Sequence, residues 1–154
     1  MTNGGDPGSA LAVLRVVRLR PSARLPERQT ALASGFDLCA SLEHGPLTIG
    51  EAPVRVPTGL AIGAPHGFDV QLRPRSGLAA RGVMAVFGTL DADYRGEVMV
   101  TMYCLPSTGR FTVADGDRIA QLVISRLAEV VWHTVEALDE TARGAGGHGS
   151  TGLR

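Results

Sequence analysis

The sequence predicts an all-β domain of sandwich or jelly-roll type. Three observations carry that expectation. Apolar and β-branched residues come in short runs along the chain. Clusters of Gly, Pro, Asp and Ser separate the runs. One brief stretch alone reads as a helix.

In chain order the strand-like runs are "LAVLRVVRL", "FDLCASL", "VRVPTGLAI", "FDVQL", "EVMVTMYCL", "RIAQLVISRL" and "AEVVWHTV". The breaks "EHGP", "GAPHG", "LPSTG" and "ADGD" lie between them. Within the third run Val54, Val56, Leu60 and Ile62 face alike, and in the fifth Val98, Val100, Met102 and Cys104 do so. Such alternation is the mark of a half-buried strand. The stretch "SGLAARG", Ser76 to Gly82, reads as a short helix with a serine able to cap it and a glycine to close it.

A chain of 154 residues fits one domain. Formal net charge is zero, which argues against non-specific binding to nucleic acid or an anionic membrane. All 15 basic residues are arginine, the better bidentate partner for phosphate. No apolar run is long enough to cross a membrane, and the start lacks a signal-peptide pattern. Cys39 and Cys104 form no C-x-x-C pair and read as small buried hydrophobes of a cytoplasmic protein. Aromatics are 5% of the chain, so a small β domain of this kind gains by burying surface against other copies.

Four polar clusters interrupt the apolar pattern. "ASGFDLCA" sets Asp37 among apolar residues, either as a turn residue or as an acid near a metal-bound triphosphate. "RPRSGLAAR" places Arg75 and Ser76 at a helix start, where free N–H groups favour an anion. "FGTLDADYRGEV" carries Asp91 and Asp93 two apart, then Tyr94: a polar turn, or a carboxylate to deprotonate water beside a ring that walls a sugar or base. "ADGDRIAQL" leads into a strand with Gln121 among apolar neighbours, and a buried Gln needs hydrogen-bond partners. The ending "RGAGGHGSTGLR" holds little to bury. It reads as a loose tail or as a phosphate clamp built of Gly, Arg and hydroxyls.

Order and spacing say more than any one cluster. "SGFDLCA", "PRSGLA", "GTLDADYRGE", "GDRIAQL" and "RGAGGHGSTG" together resemble the five motifs of the homotrimeric dUTPase family, over residues 33 to 152. The resemblance implies a distorted jelly roll, three copies sharing their active sites, and Mg²⁺-assisted hydrolysis of dUTP to dUMP and pyrophosphate. That reaction keeps uracil out of DNA and supplies dUMP. It implies a leader over 1–9, a jelly-roll domain over 10–139, and over 140–154 a C-terminal arm that closes on the nucleotide.

Residue by residue, the resemblance makes Asp91 the base that activates the attacking water. Asp37 belongs to the metal site through water, with Mg²⁺ held mainly by the triphosphate. Arg75, Ser76 and Gly77 become phosphate contacts, with Ser76 near the α–β bridging oxygen, and Gln121 a further one. Gly88, Thr89 and Leu90 line the base and sugar site, and Tyr94 packs under the deoxyribose. From the arm, Arg143 reaches the γ-phosphate, His148 stands where many members stack a phenylalanine on uracil, and Gly149, Ser150 and Thr151 complete the contact.

The sequence departs from the family at Ala85, where an asparagine usually helps read uracil, and at Phe87, usually a proline or small aliphatic residue. These changes predict a working enzyme with weakened or altered base selectivity. The alternatives are a nucleotide sensor without turnover, or a structural trimer with an idle tail. The related dCTP deaminases need an acid on the strand "VMVTMYCL", which has none after Glu97.

Overall fold

The computed structural model describes residues 11–146. Its architecture follows from a repeated local fact: along each long strand alternate side chains are apolar and turn to one face. In β8 (Glu97–Cys104) Val98, Val100, Met102 and Cys104 are buried while the residues between them are half-buried. β4 (Val54–Gly63) buries Val56, Leu60 and Ile62, and β10 (Arg118–Arg126) buries Ile119, Ala120 and Leu122. Leu38, Ile49, Val70, Val83 and Val113 complete the centre of the core. Each such side chain stabilises the fold by roughly 1.5–3 kcal/mol.

Two antiparallel four-stranded sheets enclose this core. One has the order β1 (Arg15–Arg18), β4, β8, β6 (Val83–Ala85). The other has the order β2 (Gly35–Cys39), β10, β5 (Phe68–Arg73), β7 (Gly88–Thr89). A small third sheet pairs β3 (Leu47–Ile49) with β9 (Phe111–Val113). Among the described residues no two consecutive strands share a sheet, the long-connection pattern of a jelly roll. Pro57 lies within β4, but β1 pairs only from Leu60 to Gly63, so the missing N–H falls beyond that strand's reach.

Three expectations need correction. The helical stretch is one turn, α1 (Ser76–Ala79), and Arg75 occupies the capping position with no side-chain cap bond. Ser76 is therefore the first helical residue, not the cap. The run "LAVLRVVRL" forms a strand over Arg15–Arg18 alone. "AEVVWHTV" forms none among the described residues. The last strand ends at Arg126, and Val131 and Trp132 beyond it are each 92% exposed. The composition of this run favours a strand, but no sheet edge among the described residues pairs with it.

Candidate active site

Two clefts collect nearly all the candidate residues within the described part of the chain. The first lies where the chain crosses between sheets. β6 ends one sheet and β7 ends the other, and Val86 and Phe87 join them. Each of these strands is paired on one side only, β6 with β8 and β7 with β5. Of the two, only β7 lines the cleft, and its outer backbone edge is unpaired among the described residues. Leu90 is buried, and its N–H donates to the Val70 carbonyl at 2.8 Å, pinning the far end of the crossing.

This cleft encloses about 210 Å³ and is lined by Val86, Phe87, Gly88, Thr89, Leu90, Asp91, Tyr94 and Glu97, with Met99 and Thr101 from β8. The turn carrying Asp91 is tightly braced. The Tyr94 N–H donates to the Asp91 carbonyl at 3.1 Å, and Arg95 Nη1 donates to the carbonyls of Ala92 and Tyr94 at 2.8 and 2.7 Å. The Tyr94 hydroxyl donates to the Glu97 carbonyl at 3.0 Å. A Cβ at Gly96 would lie 2.6 Å from Tyr94 Cζ, so the tyrosine ring folds back only because residue 96 has no side chain. The Asp91 carboxylate itself is exposed and takes no hydrogen bond or ion pair from the described residues.

The second cleft, about 300 Å³, is lined by Gln29, Gly35, Asp37, Arg75, Ser76, Gly77, Arg118 and Gln121. Asp37 is its one acid and sits between two guanidiniums. Arg75 Nε lies 3.3 Å from Asp37 Oδ1, and Arg118 Nη1 lies 3.1 Å from Asp37 Oδ2. Arg75 Nη1 also donates to the Arg118 carbonyl at 2.9 Å. Gln121 Nε2 donates to the Pro74 carbonyl at 3.1 Å, meeting the requirement read from its sequence context. Its side chain lies across Gly35, where a Cβ would approach Gln121 Cδ to 2.9 Å. The N–H groups of Ser76 and Gly77 open the helical turn, where no earlier turn supplies acceptors.

The register fixes how these clefts relate. Asp37 pairs with Gln121, which pairs with Arg73, while the adjacent Gln71 and Leu72 pair with Thr89 and Gly88. Asp37 and Thr89 therefore occupy opposite edge strands of one sheet, three strand spacings or roughly 14 Å apart across it and two residues out of register along it. The two clefts share no lining residue.

Not every expected contact lies in a cleft. Ala85 is 6% exposed in β6, pairs with Met102 and lines neither cleft, so its side chain belongs to the core. Phe87 is 68% exposed at the lip of the first. Arg143 lines neither cleft, and its Nε donates to the Gly146 carbonyl at 2.9 Å. His148, Gly149, Ser150 and Thr151 lie outside the described residues.

Sequence reasoning missed Arg118, although it stands inside "GDRIAQL", and it missed Arg20. Arg20 forks onto Glu97 with Nη1–Oε1 at 2.5 Å and Nη2–Oε2 at 3.0 Å, and its Nε reaches Glu43 at 3.0 Å. The Arg20 guanidinium holds the Glu97 carboxyl below the usual carboxylate range, with help from the Gly59 N–H at 2.8 Å and against the opposing pull of burial. Charges this far apart in sequence leave no local pattern.

For a divalent cation the residues offer little by way of a cage. Among the described residues no group of three His, Cys, Asp or Glu side chains could hold one. Asp37, already flanked by arginines, fits an outer role toward an ion that takes most of its oxygens from phosphate and water.

The dUTPase family model matches residues 22–152. A deoxyuridine 5'-triphosphate nucleotidohydrolase from Wolinella succinogenes is 50% identical over 144 residues, covering 90% of this chain and 93% of that protein. One from Rickettsia bellii is 47% identical over 134 residues, covering 84% and 88%. Among solved structures, the Staphylococcus bacteriophage 80alpha dUTPase with dUPNHPP superposes with a TM-score of 0.79 at 24% identity, covering 92% of this chain and 99% of that one. A dUTPase of phage phi11 of S. aureus, described with a structural Mg(II) ion, gives 0.71 at 22% identity, covering 81% and 97%.

Proposed function

The chain belongs to the dUTPase family, and we propose that it hydrolyses dUTP to dUMP and pyrophosphate at a site assembled from both clefts. The observation that carries the mechanism is the contrast between Asp91 in one cleft and Asp37 in the other. Asp91 is exposed and unpaired among the described residues, whereas Asp37 is held between Arg75 and Arg118. A free carboxylate can orient a water and take its proton. One committed to two guanidiniums is better suited to keeping a cationic shelf in shape.

In this reading Asp91 takes a proton from water as its oxygen attacks the α-phosphorus. The bond from the α-phosphorus to the bridging oxygen breaks, and pyrophosphate leaves with the electron pair. Ser76 and Arg75 donate to the bridging oxygen and its neighbours, where charge grows in the transition state. Gly77 and Gln121 add phosphate contacts. Mg²⁺, when bound to the triphosphate, offsets phosphate charge and fixes its geometry.

The base half reads uracil through the outer edge of β7 and the residue after it, at Gly88, Thr89 and Leu90, with the Ala85 backbone adding a contact just before the crossing. Phe87 at the lip is placed to pack on the base. The Tyr94 ring, held by its hydroxyl, walls the sugar and excludes a 2′-hydroxyl. Arg143, His148, Gly149, Ser150 and Thr151 close over the nucleotide as a lid.

Two observations support a homotrimer with shared sites. The two clefts share no lining residue, and Thr89 of the base cleft and Asp37 of the phosphate cleft lie on opposite edge strands of one sheet. Beyond Arg126 the chain exposes Val130, Val131, Trp132, Val135 and Leu138, apolar side chains that a second copy could cover.

The test is pyrophosphate release with Mg²⁺ from dUTP, dCTP, dTTP and UTP side by side. Turnover of dUTP far above the others supports the reading. Equal turnover of several deoxynucleotides defeats the uracil-reading part, and binding without release on any of them defeats hydrolysis.

A further inference from the structure

We propose that Arg20 is a positioning residue for sugar discrimination, acting on Tyr94 through Glu97. The inference rests on the reading of Tyr94 as the wall of the sugar site. Its own ground is a continuous chain of contacts. Glu43 takes a hydrogen bond from Arg20 Nε, and both terminal nitrogens of Arg20 grip the two carboxylate oxygens of Glu97. The Glu97 carbonyl in turn accepts from the Tyr94 hydroxyl. Glu97 is thus held at both ends, by its side chain from below and by its backbone from the ligand side.

The frame around this chain is rigid. Glu97 opens β8, where Ala61 of β4 pairs with it across a register shift between Pro57 and Ala61. The Gly59 N–H in that irregular stretch donates to Glu97 Oε1, and the Leu19 N–H donates to the Gly59 carbonyl at 2.7 Å. Arg20 therefore enters beside the same irregularity that Glu97 fills. The Arg20 and Glu97 side chains are each 20% exposed, so water competes weakly for the pair. A planar guanidinium fixes both the place and the orientation of the carboxylate, which a lysine ammonium does not.

Without the fork, a half-buried carboxylate keeps the Gly59 N–H as its remaining partner and turns toward water. The Glu97 carbonyl shifts with it, and Tyr94 loses a fixed acceptor. The Asp91 turn keeps its own braces from Arg95, so the chemistry at the α-phosphorus changes less than the fit of the sugar.

The experiment measures kcat and KM for dUTP and for UTP in the intact assembly of wild type, Arg20→Met, Arg20→Lys, Tyr94→Phe, Tyr94→Ala and the double variant R20M/Y94F. Arg20→Met is expected to lower the dUTP-over-UTP preference about tenfold, chiefly through KM, as misplacement of a positioning group does. Arg20→Lys recovers part of it, and R20M/Y94F loses no more than the worse single variant because both cut one chain. Unchanged preference in Arg20→Met and Arg20→Lys, or additive losses with Tyr94→Phe, overturns the inference even if melting temperature falls. Should Arg20→Met fail to fold, Arg20→Lys and its combination with Tyr94→Phe carry the same test. If Tyr94→Ala leaves the preference intact, the sugar-wall reading fails and the role of Arg20 falls with it; if Tyr94→Ala removes the preference and the Arg20 variants do not, the Arg20 inference alone fails.

Discussion

The two clefts are built on opposite plans. The one around Asp91 and Tyr94 is shaped by backbone: a sheet edge, a braced turn, a ring folded over a glycine, and an acid left unpaired among the described residues. The one around Asp37 is shaped by charge, with two arginines and one acid held together by ion pairs. The difference teaches which half does which work. In the proposed reading the backbone edge and the fixed ring discriminate shape, and the unpaired carboxylate takes the proton. The same reading gives the paired guanidiniums the anion, since donors held in place by Asp37 need little reorganisation when charge develops.

Breaking each half should therefore give different signatures. The largest effect is expected from Asp91→Asn, which keeps the turn and removes the base. Steady-state kinetics with dUTP should show kcat falling roughly 10²–10⁴-fold with KM little changed. If kcat survives, the free acid is not the base. Arg75→Ala comes next. It removes a phosphate donor and one partner of Asp37, and a loss of about 10²-fold in kcat/KM is expected. A loss confined to stability would mean that Arg75 only supports Asp37.

Gly96→Ala sharpens the contrast from the other side. The new methyl must displace the Tyr94 ring, so the preference for dUTP over UTP should fall roughly tenfold while pyrophosphate release from dUTP persists, as expected when binding geometry shifts and the reacting groups stay. Unchanged preference would separate the ring from sugar reading. The smallest effect concerns pH. The Glu97 carboxyl is held below its ordinary range by Arg20, so its stabilisation is complete above that range and is lost as pH falls through the depressed value. Melting temperature should drop on acidification, and Glu97→Gln should flatten that part of the slope. An identical slope in both proteins would place the acid sensitivity elsewhere.

Much of this was legible in the sequence, for reasons that differ by residue. Val98, Val100, Met102 and Cys104 alternate, and they are the buried face of β8. The motif order pointed to Asp91, Tyr94, Arg75, Ser76 and Gln121, and these sit in the two clefts. What stayed hidden depends on partners far along the chain. Asp37 and Arg118 are 81 positions apart, and Arg20 and Glu97 are 77 apart, so no local pattern links them. The reading of Ala85 through its backbone is compatible with a side chain that turns into the core, and the side chains that line the cleft there are those of Val86 and Phe87, past the end of β6. The run "AEVVWHTV" has the composition of a strand, but a strand needs an edge, and composition does not say which chain supplies it.

The most direct test of the composite site is complementation. Asp91→Asn and Arg75→Ala proteins, each nearly inactive, would be unfolded together, refolded as a mixture and assayed with dUTP. If base and phosphate halves come from different copies, sites with both halves intact reappear, and equal mixing should restore about a quarter of wild-type activity when sites are independent. If each site is built within one chain, every site carries a defect and the mixture stays as inactive as its parents, which would contradict the shared site.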